Sequence, residues 1–400
     1  MNQQTTNSSS FHGLGIAPAM LDILEKNKFV TPTPIQAQAI PIATQGKDVM
    51  GVAQTGTGKT LAFGIPMIQR LSETGGIGLV VLPTRELALQ VDEVLRKIGE
   101  SLHLRTAVLI GGAPFPAQVK SIHRKPHIVI GTPGRIIDHI KQRTLKLDIA
   151  KIVVLDEADR MLDMGFLPQI RDIFKVLPTA RQTMLFSATM PRDIVHMATS
   201  YMQLPIRVEI APTGTTSERV VQELLIVDKS AKPYVLKSVL ERFQSSTLVF
   251  TRTKFGAKRL ARELHEMGYT TAEIHSNRSL AQRREALEGF KKGKYRVLVA
   301  TDIAARGIDV KNIELVVNYD LPSTAEDYVH RIGRTARAGA GGHAISFAMP
   351  DERKDVRDIE RLINMQIAVS KHSPLTEFTA YRPNMRGGKR MHFSSRRYRR

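Results

Sequence analysis

Cysteine is absent from all 400 residues, which excludes disulfides, zinc sites built on thiolates and thiol catalysis. A reducing, cytoplasmic setting is expected from that absence. No apolar run approaches the ~18 residues of a membrane-spanning helix. The opening stretch, MNQQTTNSSS, is polar and uncharged and so does not read as a secretion signal. A disordered lead is expected over 1–10. Acids are scarce beside bases. The 38 Asp and Glu against 58 Lys and Arg leave a formal net charge of +20. Such an excess points to a polyanionic partner, nucleic acid first and an acidic membrane surface second. Residues 371–400 hold nine Lys or Arg and one Glu, a net of +8, which leaves +12 for the other 370. The body is basic as well as the tail.

A chain of 400 residues is too long for one ordinary core, and 42% apolar residues suffice for two. Short runs rich in Val and Ile recur between helical patterns. In the first half they fall at 48–53, 78–83, 106–112, 127–133, 151–157 and 183–189. In the second half they fall at 247–253, 271–276, 295–302, 315–322 and 343–349. Runs of this kind indicate parallel sheets covered on both faces. Each ends in small, polar or charged residues, and open α/β sheets bind ligands at the carboxyl ends of their strands. Apolar periodicity lapses at APTGTTSER, 211–219, a linker between units over 11–210 and 220–370. The stretch 371–400 has neither helical nor strand period and is expected to be a disordered basic tail.

AQTGTGKT, 53–60, follows one such run and precedes a helical pattern, the context a phosphate loop requires. Gly56 and Gly58, with Thr55 and Thr57 between and beside them, let backbone amides turn toward a phosphate. Lys59 can reach β- and γ-phosphates, Thr60 offers a hydroxyl to Mg²⁺, and the helix start adds its positive dipole end. The plain alternative is a glycine-rich turn. Three carboxylates also crowd where VVLDEAD leaves its strand, at Asp156, Glu157 and Asp159. A phosphate loop needs a second strand ending in a Mg²⁺-holding acid, for which Asp156 is suited. Glu157 is suited to orienting a water and taking its proton. Alone, the acids would read as a helix start favourable to the dipole.

Together these residues and FVTPTPIQ (29–36), PTRELA (83–88), Gly111-Gly112, TPGR (132–135), DEAD (156–159), SAT (187–189), VFTRT (249–253), ATDIAARGID (300–309) and HRIGRTARAG (330–339) resemble the DEAD-box RNA helicases of superfamily 2, across residues 11–350. The resemblance implies an α/β fold of two tandem RecA-like domains, each a parallel sheet with helices on both faces. It implies an RNA-stimulated ATPase that uses ATP and Mg²⁺. Gln36 and Phe29, with Phe11 upstream, would receive adenine, and Asp309 the ribose. Ser187 and Thr189 would couple hydrolysis to strand separation through Asp159. Arg334 and Arg337 would be arginine fingers from a second unit that has no phosphate loop of its own, and His330 and Arg331 would wire them to the first. Thr84, Arg85, Gly111, Gly112, Thr132, Pro133, Gly134, Arg135, Arg252 and Thr301 would hold the RNA backbone, positioning the strand without reading its sequence. The expected partners are RNA and protein or ribonucleoprotein assemblies, with no membrane, and a monomer is expected. Two rivals stand beside this: an ATP-gated RNA clamp that does not unwind, and a DNA translocase.

The chain departs from the family pattern at Lys28 and Ala336, each where Gly is usual, and at Ser276 and Leu280 in IHSNRSLAQR (274–283). The last two put RNA contacts from that loop in question.

Overall fold

A computed structural model describes residues 10–54, 56–210, 220–302, 313–336 and 341–375. The lead over 1–9, the linker 211–219 and the tail from 376 onward lie outside the described residues. Seven strands form the first sheet: β1 (Val49–Val52), β2 (Ile77–Val81), β3 (Thr106–Leu109), β4 (Ile128–Gly131), β5 (Ala150–Leu155), β6 (Gln182–Ser187) and β7 (Ile206–Glu209). Their order is β3-β4-β2-β5-β6-β1-β7, and every pairing is parallel. The second sheet has six, β8 (Val220–Ile226), β9 (Thr247–Phe250), β10 (Thr271–Ile274), β11 (Val297–Ala300), β12 (Leu315–Asn318) and β13 (Gly342–Ala348), in the order β10-β11-β9-β12-β13-β8. These pairings too are all parallel.

Side chains alternate across a strand, so a strand apolar at every position has two faces to bury. In β5, Ile152 and Val154 enter one core cluster with Phe63 and Phe186, while Val153 and Leu155 enter another with Ile136 and Ile170. The second sheet repeats this: Val249 packs on one face of β9, Leu248 and Phe250 on the other. Helices therefore cover both faces of each sheet, and function is left to the strand ends. Two strands, β7 and β8, have no counterpart among the runs taken from the sequence. Both are edge strands.

Helix starts are fixed by short side chains. Thr84 accepts from Leu87 N at 3.3 Å, Thr253 from Gly256 N at 3.0 Å, and Ser279 from Gln282 N at 3.2 Å, each satisfying an orphan donor. Lys28 and Ala336 both sit in the left-handed region, at φ 62° and 54°. That conformation explains why Gly is usual at both places and costs an L-residue about 1–2 kcal/mol.

Candidate functional site

The strand order gathers residues far apart in sequence. β1, β6 and β5 are successive neighbours, so the segments after them, beginning at 53, 188 and 156, emerge side by side. Ala53 N donates to Ser187 O at 2.9 Å, tying the first two together. Gly56 and Gly58 have φ of 88° and 89°, which lets the loop turn before the helix Lys59–Thr74. A side chain at Gly58 would strike the Gln36 amide. Lys59 is buried, and its Nζ donates to Ala53 O at 2.8 Å, so the ammonium lies inside the loop it serves. Thr57 Oγ1 donates to Gln54 O at 2.7 Å, and Thr60 is half-buried in the first turn of the helix. Thr55 lies outside the described residues.

The acids follow β5. Asp156 N donates to Val81 O, and Asp156 Oδ1 accepts from Glu157 N at 2.9 Å. Burial pushes the Asp156 carboxyl up to about 6, with Lys59 opposing. Glu157 has φ 52° and ψ 50°, a left-handed turn for a long side chain, and strain of this kind clusters at functional sites. Its Oε2 lies 3.4 Å from Arg160 Nη1, both side chains buried. Burial alone would raise the Glu157 pKa, but Arg160, Lys59 and Arg334 outweigh it and hold the carboxyl below its ordinary value. Asp159 is the junction. Its Oδ2 accepts from Ala188 N (3.0 Å), Thr189 N (2.9 Å) and Thr189 Oγ1 (3.1 Å), and its own N–H donates to Ser187 Oγ at 3.2 Å.

The helix Ala325–Ile332 of the second unit meets this cluster. Burial lowers the His330 pKa to about 4, Arg160 acts in the same sense, and Asp159 opposes, so a neutral imidazole faces the DEAD segment. Arg334 is 3% exposed, its Nε donates to His330 O at 3.3 Å, and its charge bears on Glu157. Arg337 and Asp309 lie outside the described residues. Arg331 corrects an expectation. Instead of reaching the first unit, its guanidinium is turned inward, with Nε and Nη2 on the Asp302 carboxylate at 2.5 and 2.7 Å. Its Nη1 is on Asn318 Oδ1 and Asp320 O. Arg160, missed in the sequence, stands in the middle of the contact between the units. Its only signal was its position next to DEAD.

Near the phosphate loop, Gln36 Oε1 accepts from Thr33 N and Nε2 donates to Gly58 O, both at 2.9 Å. One amide thus both starts a helix and holds the phosphate loop. Phe29 is half-buried, with Lys97 Nζ 5.4 Å from its ring centre. Phe11 also departs from expectation. It is 4% exposed, in one core cluster with Leu14 and Met20, and has almost no open face for a base.

The other half of the first sheet carries a second group. β3, β4 and β2 are successive neighbours, and after them come Gly111-Gly112, Thr132–Arg135 and Thr84-Arg85. A side chain at Gly112 would strike the Arg85 guanidinium, whereas one at Gly134 would meet nothing. Arg135 Nη1 donates to Ala113 O at 3.1 Å. Thr132 occupies the N-cap position of the helix Pro133–Lys141 without a side-chain capping bond, and Pro133 is in the first turn. Burial lowers the Arg85 pKa, and the charges of Arg283 and Arg135 add to the effect. Three guanidinium groups therefore lie near one another here, with Glu86 opposing their repulsion. Arg283, another residue the sequence did not single out, forms a buried ion pair with Glu86 across the two units. On the second unit, Arg252 Nη2 donates to Leu321 O and Glu352 Oε1, both at 3.3 Å, and Thr301 N donates to Ile274 O.

A phosphate loop, strand-end acids and an arginine, Arg334, brought to them from a second parallel-sheet unit define a two-unit nucleoside triphosphatase. Residues 33–197 match the DEAD/DEAH box helicase family, and residues 231–339 match the helicase conserved C-terminal domain. ATP-dependent RNA helicase DbpA of Bacillus subtilis is 43% identical over 362 residues, 90% of this chain and 76% of that protein. DEAD-box ATP-dependent RNA helicase CshA of Geobacillus kaustophilus is 42% identical over 372 residues, 92% of this chain and 80% of that protein. The structure of S. cerevisiae Dbp5 bound to RNA and ADP BeF3 superimposes with a TM-score of 0.79 at 29% identity, covering 90% of this chain and 96% of that one. The chain belongs to the DEAD-box family of ATP-dependent RNA helicases, with two RecA-like domains in tandem.

Proposed function

We propose that this chain hydrolyses ATP to ADP and phosphate between its two domains and uses the cycle to separate short RNA duplexes or to strip proteins from RNA. The observation that carries the reading is the position of Asp159. One carboxylate oxygen holds the backbone and hydroxyl of Thr189, the backbone of Asp159 holds Ser187, and His330 of the second domain faces the same group. A change at the phosphates can therefore reach the second domain through a single side chain. The likeness to a complex with RNA and a nucleotide analogue, across both domains, supports a closed cleft.

RNA would lie along Thr84, Arg85, Gly111, Gly112, Thr132, Gly134 and Arg135 of the first domain and Arg252 and Thr301 of the second. Phosphate contacts of this kind give affinity without sequence choice. Among the described residues no three His, Asp or Glu gather as a metal cage. Mg²⁺ is ordinarily bound through one or two carboxylates and the substrate's phosphates. The buried Asp156, whose ionisation burial disfavours, and the Thr60 hydroxyl fit that donor set. When bound, the ion would neutralise charge on the phosphate oxygens.

The test is strand separation with short RNA and DNA duplexes under ATP. Separation of RNA but not of DNA is expected. ATP hydrolysis without separation would favour the clamp, and equal action on DNA the translocase. Gln36 gives a further expectation. Its amide can pair with both the acceptor and the donor on the adenine edge, so hydrolysis should prefer ATP to GTP. Gln36→Ala should narrow the preference and, by freeing Gly58 O, raise KM for both nucleotides. Comparing kcat/KM for the two nucleotides in both proteins checks this, and equal use of ATP and GTP by the wild type removes the adenine role.

A further inference from the structure

The second sheet has a strand-end group in which only Arg252 and Thr301 have been given a role. β10, β11 and β9 are successive neighbours. Backbone bonds from Thr301 N to Ile274 O and from Thr251 N to Ala300 O lock their ends together. The segments that follow are His275–Arg278, Thr301 and Arg252–Phe255. Phe255, in the first turn of the helix Lys254–Glu266, is 69% exposed. Lys254 Nζ lies 5.2 Å from its ring centre. From Thr251 to Arg262 the chain has five Lys or Arg and no acid. Arg252, Arg259 and Arg262 are matched by Glu352, Glu263 and Glu266, whereas Lys254 and Lys258 have no carboxylate partner among the described residues. Burial lowers the pKa of His275, Glu273 opposes, and the charges of Arg278 and Lys258 add to the lowering.

A single exposed aromatic ring is ordinary by itself; what sets Phe255 apart is its place beside the strand-end cluster and the lysines around it. Set among unpaired lysines, it suits a ligand with both a flat apolar face and a negative backbone. We propose that Phe255, flanked by Lys254 and Lys258, is a stacking platform for an unpaired RNA base, lengthening the strand's path over the second domain beyond Arg252 and Thr301. The inference rests on the proposed RNA path. One ring face lies toward Lys254 and the other is left for a base. Stacking is tolerant of sequence because every base has a π-face, which matches a helicase that holds RNA by its backbone.

The experiment uses the full chain with a non-hydrolysable ATP analogue and single-stranded RNA carrying 2-aminopurine at successive positions. The wild type should quench the fluorophore at one position near the end of the bound segment. Phe255→Ala should remove that quenching and weaken binding roughly 5- to 100-fold. Phe255→Tyr should retain both, and Lys254→Ala should reduce the slope of log affinity against log salt by about one. Phe255→Ala binding within twofold of wild type with unchanged quenching overturns the proposal and leaves the ring as a surface for protein. Equal weakening by Ala and Tyr also overturns it, since a Tyr ring stacks as well. A wild type that binds no RNA would instead defeat the proposed function itself.

Discussion

Glu157→Gln protein is expected to bind ATP as the wild type does and to hydrolyse it roughly 10²–10⁴ times more slowly, the usual loss when a positioned base is removed. The substitution keeps shape and hydrogen-bonding length, so the left-handed turn at φ 52° and the neighbouring Asp156 contact should survive. What changes is basicity. The site as it stands makes Glu157 a poor base, because Arg160, Lys59 and Arg334 overcome the effect of burial and hold its carboxyl below the ordinary value. A proton acceptor works best with a pKa near the working pH. The phosphates of ATP would act in the opposite sense. Bound between Lys59 and Arg334, they would draw those two cations onto themselves and weaken their hold on Glu157, leaving Arg160 as the main opponent of burial. Single-turnover hydrolysis at saturating RNA, with ATP affinity measured separately, checks the expectation. A rate within threefold of wild type would remove Glu157 from the proton's path.

How much of this could be taken from sequence depended on how local each feature is. The phosphate loop was legible because its glycines, lysine and threonine are contiguous and follow an apolar strand. DEAD and SAT were legible for the same reason, and their meeting follows from the strand order β5-β6-β1. Two strands were not legible. β7 is only four residues long, with Arg207 and Glu209 facing solvent and paired to each other at 2.7 Å. β8 is interrupted by Gln222 and Glu223, whose partners Tyr328 and Ser370 lie more than 100 residues away. Both lie at sheet edges, where polar residues belong and apolar continuity is lost. Contacts between the domains were least legible of all. Arg160 and Arg283 look like ordinary helix cations until the second domain is set against the first. Arg331 erred in the other direction, because the resemblance set it toward the first domain, whereas Asp302 and Asn318 draw it inward. The departures at Lys28 and Ala336 turned out to concern backbone rather than chemistry, since each keeps the left-handed turn that Gly would adopt more readily.

Arg334→Lys should lower the hydrolysis rate by roughly 10³-fold, the low end of what an arginine finger contributes, while ATP affinity and the thermal midpoint stay close to wild type. Arg334 is held at the cleft by its own helix through the bond to His330 O, and its charge already reaches Glu157. It is therefore aimed at the phosphate end of the site before any nucleotide arrives. Lysine keeps the charge but loses the planar fork that can bridge two phosphate oxygens, so the loss should fall on the chemical step. Arg331→Lys supplies the contrast, three residues away on the same segment. Arg331 makes a two-pronged contact to Asp302 and two further bonds, all within the second domain, and its own side chain is buried. Lysine keeps the charge but cannot satisfy that set, and each buried acceptor left without its donor costs about 1–3 kcal/mol. Arg331→Lys should thus lower the thermal midpoint of the protein, with turnover falling as the second domain loosens. Single-turnover rates and melting curves of the two variants separate the roles. If Arg334→Lys melts early and hydrolyses within tenfold of wild type, Arg334 braces the domain and the finger lies elsewhere.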